Sequence, residues 1–353
     1  MSDVALLLIS NGHGEDAVAA RIARELPAAA SAGLPLVGAG HAYREAGIPV
    51  LGPARDLPGG GWSQRSLRAF LRDWRHGWAA DLGSALAAAR GLAPRLVVGV
   101  GDVLPAAFAA VAGLPPIVLV GCNKTDYYAD WGESYIAAEV AALRCWDTHV
   151  LPRDAPTAER LRRLGLRVEF PGNAIPDLVE PLPPPGDGLA ILPGSREDAV
   201  ANLPLMLAAA RQAGVAPERT RVALAPGRAD LRALAETNGA AVASLHQALA
   251  PAGLVLATAG TASEVAAAHG RPIVAFAGPG PQYTPYFAAR QQQLLGEALH
   301  LVARDAGAIG ETVHRLLSDD AARARAAEAG RSRVGEPGAA RRIASLLERR
   351  LGI

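Results

Sequence analysis

Cysteine is nearly absent. Cys122 and Cys145 are the two in 353 residues, and neither stands at a zinc-ligand or redox spacing, so a disulfide-stapled scaffold is excluded and a reducing cytoplasm is the expected compartment. Lysine is scarce as well: the basic residues are otherwise arginine, with Lys124 a rare exception. Charge of one sign is not in excess, since 35 basic residues face 34 acidic ones. That balance removes the broad basic field that nucleic-acid binding needs. No apolar run reaches the ~20 residues of a membrane-spanning helix. The opening MSDVALLLIS carries Asp3 and no basic flank, and reads as a first strand and not a secretory signal. Asp-x-Asp occurs nowhere, and no His, Asp or Glu group has metal-ligand spacing, so neither a metal nor another cofactor is expected.

What remains is 50% hydrophobic, with 38 glycines and 27 prolines. Short apolar runs alternate with Ala/Leu/Arg stretches of helical period, the signal of βαβ units and parallel sheets. In the first half, strands are predicted at 4–9, 35–37, 96–100, 116–120, 148–151 and 168–170, and helices at 17–25, 66–89, 137–144 and 157–164. DLVEPLPPPGDG, residues 177–188, breaks the pattern with four prolines and two glycines, as a linker does. Strands resume at 189–192, 221–225, 254–257 and 272–276. The expected organisation is a doubly wound domain over 1–176, the linker 177–188, a second doubly wound domain over 189–338, and a closing amphipathic helix within 339–353. Two such α/β domains facing one another would gather their strand C-termini around one cleft.

Two turns in the second half point to an anion. In LAILPGSRED, residues 189–198, a strand ends in Gly194-Ser195-Arg196 before a helix. Gly194 lets backbone approach a ligand, Ser195 can bond an oxygen or cap the helix, and Arg196 can fork onto a phosphate. ATAGTASE, residues 257–264, repeats strand, small-residue turn and helix with Gly260, Thr261, Ala262 and Ser263. Glu264 follows one step later, where a carboxylate can accept both hydroxyls of a ribose or simply complement the helix dipole. A phosphate site beside a ribose acceptor describes a nucleoside diphosphate.

The pairing of LPGSRED with AGTASE resembles the nucleotide-binding half of the lipid-A-disaccharide synthases, a GT-B glycosyltransferase family. The segments 36–52, 94–113 and 148–177 are similar to other parts of that family in the same order. SNGHGED, residues 10–16, resembles a divergent related branch. The resemblance implies a GT-B fold of two Rossmann-like domains and inverting transfer of a sugar from a UDP-sugar to a lipid-linked acceptor. The sugar would be an acylated or N-acetylated glucosamine. It further implies that Gly194, Ser195, Arg196, Gly260, Thr261, Ala262 and Ser263 hold the diphosphate and Glu264 the ribose. Departures lie at Asn11–Asp16, where Asp16 alone aligns with the family's acidic motif, and at 278–296, where Gln282 occupies the place of a donor-sugar contact.

An inverting transfer needs a base for the acceptor hydroxyl. His13, Glu15 and Asp16 follow the first strand, and Asp102 in GVGDVLP follows the third predicted strand. A grouping of His13 with Asp102, or of Asp16 with Asp102, is expected, and the sequence leaves both open. Glu15 and Asp16 can equally complement a helix dipole. Asn123, Lys124, Thr125 and Asp126 follow the next strand; Lys124 suits an acceptor phosphate or a solvated loop.

The stretch GWSQRSLRAFLRDWRHGW, residues 61–78, gathers Leu67, Leu71, Trp74 and Trp78 on one helical stripe and Arg65, Arg68, Arg72 and Arg75 on another. That pattern suits peripheral contact with a membrane through 62–78, on the inner face of the cytoplasmic membrane, or a packed surface helix. Gly12-His13-Gly14-Glu15-Asp16-Ala17 also fits a dinucleotide fingerprint, but Gly38-Ala39-Gly40-His41 after the second strand lacks the acidic ribose ligand, which argues against an oxidoreductase. Two alternatives stay open: an isomerase like the UDP-N-acetylglucosamine 2-epimerases, and a non-catalytic UDP-sugar-binding protein. The oligomeric state is not legible.

Overall fold

The computed structural model describes residues 4–26, 31–55, 75–115, 117–131, 134–194, 198–225, 228–280 and 283–353. The chain divides into two compact units, residues 1–174 together with 338–353, and residues 175–337.

The first unit is built on a sheet of six parallel strands, β1 (Leu6–Ser10), β2 (Ser31–Pro35), β3 (Leu96–Gly101), β4 (Val118–Gly121), β5 (His149–Leu151) and β6 (Arg167–Val168). Their order is β2-β1-β3-β4-β5-β6. Helices α1 (His13–Arg24), α2 (His41–Glu45), α3 (Trp78–Arg90), α4 (Leu104–Ala112), α5 (Ala137–Cys145) and α6 (Ala155–Arg163) connect them. Leu7, Ile9, Val97, Leu119 and Val150 are fully buried in one core with Leu34 and Leu143. Strands covered on both faces explain the unbroken apolar runs. The second strand lies earlier than the expected 35–37. Its SAGLP segment pairs in register with β1, Leu6 opposite Ser31 through Ser10 opposite Pro35. Gly33 is required there, because a Cβ would come within 2.6–2.8 Å of the Tyr43 ring.

The second unit repeats the plan with β7 (Gly188–Leu192), β8 (Thr220–Ala223), β9 (Ala241–Ala243), β10 (Ala252–Ala257), β11 (Ile273–Phe276) and β12 (Leu299–Val302), all parallel in the order β12-β11-β10-β7-β8-β9. Its helices are α7 (Asp198–Gln212), α8 (Arg232–Thr237), α9 (Leu245–Leu249), α10 (Thr261–Ala268), α11 (Pro285–Leu295), α12 (Ala306–Ser318) and α13 (Asp320–Val334). Ile191, Leu254, Val274 and Phe276 pack with Leu203, Met206, Ile309 and Val313. Strands β9 and β12 had no counterpart among the sequence expectations. Both are sheet edges, short, and only half-buried, so neither carries the long apolar run that marks a central strand.

Residues 175–187 are tied to this second unit. Arg271, 2% exposed, donates to the carbonyls of Leu249, Ala250, His269 and Pro183, and His269 Nε2 lies 3.0 Å from the Pro176 carbonyl. The closing helix α14 (Ala339–Leu351) returns to the first unit. It buries Ile343, Leu346 and Leu347, and its Arg350 donates to His149 Nδ1 at 2.6 Å. Of the stretch 62–78, residues 62–74 lie outside the described residues; Trp78 opens α3 and its indole N–H reaches the Leu36 carbonyl at 3.4 Å.

Candidate functional site

In each sheet the chain reverses direction at one place, between β1 and β3 in the first unit and between β7 and β10 in the second. Connections leave such a switch point on opposite faces, so the loops beyond the strand carboxyl ends part there and leave a crevice. The loops that the topology puts at these two places are those carrying the sequence candidates.

In the first unit, Ser10 pairs with Val100 in the ladder, which sets Asn11 beside Gly101. Asn11 Nδ2 donates to Asp102 Oδ1 at 2.7 Å, and the Leu104 N–H donates to the same oxygen at 2.8 Å. Asp102 thus opens α4 as well as facing the switch point, with Oδ2 outside both bonds. Burial raises its carboxyl above the ordinary range; the Leu104 N–H, Lys124 and Asn11 offset this, and Glu139 reinforces it. A carboxylate whose proton affinity is raised is the better suited to take a proton from a hydroxyl.

The other candidates are placed differently. Asp16 is 1% exposed and accepts the Ser10 hydroxyl at 2.6 Å, while Ser10 Oγ also lies 2.7 Å from the Tyr43 hydroxyl. Burial, then the negative charge of Asp16, pushes the Tyr43 phenol well up. Asp16 is therefore part of a buried polar cluster that ties α1 to β1 and α2, whereas the hydrogen bonds to Asp102 come from Asn11 and Leu104. His13 is exposed, begins α1 and lays its ring against Gly38, where a Cβ would stand 3.0 Å from Cε1. The hydrogen bonds to Asp102 come from Asn11 and Leu104 and not from His13. Glu15 accepts from Asn123 Nδ2 at 2.6 Å, linking the loops after β1 and β4. Lys124, the chain's one lysine, is half-buried and held by a carboxylate. It pairs with both oxygens of Glu139 at 2.6 and 2.8 Å and stands 5.9 Å from the centre of the Tyr135 ring.

In the second unit, Gly194 takes φ +99° two residues beyond the end of β7. Ser195 and Arg196, and Gln282 in the later loop, lie outside the described residues. Thr258 was missed by the sequence reading. Its N–H donates to Leu192, its hydroxyl donates to the Pro193 carbonyl at 2.9 Å, and it accepts from Asn202 Nδ2 at 3.1 Å. One side chain thus joins the two phosphate-candidate turns to α7. Nothing local marks Thr258 in the sequence, because its partners lie far away along the chain. Gly260 precedes α10, and a Cβ there would press on Phe287 at 3.3 Å. Thr261 and Ala262 are half-buried at the amino end of that helix, where N–H groups face outward. Ser263, fully buried, donates its hydroxyl to the Ala259 carbonyl at 2.6 Å, so its side chain holds the turn. Glu264 is 6% exposed. Asp198, also missed, accepts from the Tyr283 N–H at 3.2 Å. A Cβ on Gly280 would overlap its carboxylate, so the loop after β11 closes onto the start of α7 only because Gly280 is bare. Among the described residues no group of three His, Cys, Asp or Glu side chains is placed to hold a metal, and no helix is long and apolar enough to cross a membrane.

No protein-family model matches the chain, and no curated protein matches it by sequence. Solved structures match end to end. A putative UDP-N-acetylglucosamine 2-epimerase from Listeria monocytogenes superposes with a TM-score of 0.58 at 15% identity, over 98% of this chain and 96% of its own. The glycotransferase of kitacinnamycin gives 0.59 at 18%, over 99% and 100%. The spinosyn rhamnosyltransferase SpnG gives 0.56 at 16%, over 98% and 100%. With these matches the two parallel sheets define the chain as a GT-B fold, two Rossmann-like units in sequence. At such identities the likeness concerns the fold, which hosts more than one chemistry.

Proposed function

We propose that the chain is an inverting glycosyltransferase that moves a sugar, an acylated or N-acetylated glucosamine, from a UDP-sugar to a lipid-linked acceptor, as lipid-A-disaccharide synthases do. The observation that carries the reading is Asp102: a carboxylate at the switch point of the first sheet, raised by burial, with one oxygen outside its two hydrogen bonds. Asp102 takes the proton as the acceptor hydroxyl attacks the anomeric carbon, and the bond from that carbon to the diphosphate oxygen breaks on the opposite side. In the second unit, the N–H groups of Thr261 and Ala262 with Gly194, and Ser195 and Arg196 from the sequence, neutralise the departing UDP. Glu264 serves the ribose. His13 and Glu15 line the same edge as Asp102 without bonding it. The lipid acceptor is met at a membrane surface through the Trp- and Arg-bearing stretch 62–78.

A second reading, an isomerase acting on the UDP-sugar alone, is favoured by epimerase-named structures that cover this chain as fully as the transferases do. One experiment separates the two. The protein is incubated with UDP-N-acetylglucosamine with and without a lipid-linked glucosamine acceptor, and free UDP and epimer are both followed. UDP released only with acceptor supports transfer; epimer without acceptor supports isomerisation. UDP bound by calorimetry with neither product supports a binding protein, and no heat with UDP overturns the nucleotide reading altogether.

A further inference from the structure

The residue best placed to control Asp102 is one that none of the motif readings selected. Asn11 follows β1 and abuts Gly101, the last residue of β3. Gly101 sits at φ +138°, and a Cβ there would overlap Asn11 Oδ1. The strand end is thus bare where the amide lies. Asn11 Oδ1 is buried without a hydrogen-bond partner. An orphaned buried acceptor is destabilising, a penalty the fold accepts on one side of the amide while the other side donates to Asp102. The reverse orientation of the amide would set Oδ1 against a carboxylate oxygen, so the direction of the contact is fixed by charge.

We propose that Asn11 is the positioning residue of Asp102, holding Oδ1 together with the Leu104 N–H so that Oδ2 is the oxygen presented to the reacting hydroxyl. This rests on the reading of Asp102 as the base. With Oδ1 saturated by two donors at 2.7 and 2.8 Å, the incoming proton goes to Oδ2. The other charged and titratable groups around the carboxylate are Lys124, which favours its ionised form, Glu139, which opposes it, and the buried Tyr135 hydroxyl. All three belong to the segment after β4. Asn11 alone among these neighbours reaches across from β1, and it bonds directly.

The test uses the full chain with carboxyl-labelled aspartate, the Asp102 resonance being assigned by its loss in Asp102→Asn. Asn11→Ala and the volume-conserving Asn11→Leu are each titrated by NMR and melted. The expected result is an upward move of the Asp102 midpoint by about one unit in both variants, the loss of one charge-assisted hydrogen bond. The melting temperature of Asn11→Leu stays within a few degrees of the parent, since the orphaned acceptor leaves with the donor. The acid limb of the pH–rate profile moves up with the midpoint, and kcat falls roughly tenfold while KM holds. An Asp102 midpoint unmoved in both variants, or a fall in melting temperature with no movement of the midpoint, overturns the positioning role. Full turnover in Asp102→Asn overturns the base assignment instead, whatever Asn11 does to the titration.

Discussion

The two switch points are equivalent in topology and opposite in chemistry. In the first unit the loops are joined by polar side chains that cross from one strand end to the next: Asn11 to Asp102, Glu15 to Asn123, Ser10 to Asp16 and Tyr43. In the second unit the joining is done by Thr258, Asn202 and the Asp198 carboxylate with close glycines, and small residues stand at the turn itself. The first edge presents carboxylates and an imidazole, groups that exchange protons. The second presents the backbone amides that open α10, which do not titrate, with Glu264 in the same first turn. The same sheet geometry can therefore supply a reactive edge or a binding edge, according to whether its loops end in side chains or in bare backbone.

Asp102→Asn tests the comparison most severely. Turnover should fall by about two to four orders of magnitude, while UDP binding measured by calorimetry stays at the parental value; weakened UDP binding would show that the edges are not divided in this way. Next, Thr258→Val removes the hydroxyl that joins the two second-unit turns. It leaves the Pro193 carbonyl and the Asn202 amide short of a partner, and should cost about 1–3 kcal/mol in denaturant unfolding together with affinity for UDP. Unchanged UDP affinity in a destabilised variant would mean that the turns are held without it.

A third prediction concerns the far end of the first unit. Burial, with Arg350 and Arg167 adding to it, lowers the His149 imidazole to about 4, against about 6.5 in an unfolded chain. Its contribution to stability is therefore complete above about pH 6.5, declines as pH falls, and levels off below about pH 4. The loss is on the order of 2 kcal/mol, because burial and the nearby Arg350 and Arg167 disfavour the imidazolium. His149→Gln should flatten the pH dependence of melting between pH 7 and 4. A parental slope in that variant would place the effect elsewhere. The smallest effect is expected of Ser263→Ala, about 0.5–1 kcal/mol with UDP affinity intact. A large loss of affinity would return that hydroxyl to the phosphate.

Much of this organisation could be read along the chain. Central strands announce themselves by runs such as Leu6–Ile9, Leu96–Val100 and Leu254–Ala257, because a strand covered on both faces excludes polar groups. Helix starts at Asp154, Thr284 and Asp305 follow from capping residues whose side chains accept the expected N–H groups. The edge strands β9 and β12 escaped, since an edge needs neither length nor an apolar run. At the site, the types were legible and the partnerships were not. Asp16 and Asp102 look alike in sequence, each two residues beyond a glycine or beside one, after an apolar strand. One is sealed beneath Ser10 and Tyr43, the other left with a free-facing oxygen.

The sequence by itself determined that there would be two parallel α/β units, each with small-residue or acidic turns at its strand ends, because periodicity and glycine placement are local properties. Tertiary structure alone decided which carboxylate keeps an oxygen for a reactant, that Asn11 would serve Asp102, and that Ser263 would turn inward. Those choices depend on strand register and on the desolvation that packing imposes, and both arise only when distant segments meet.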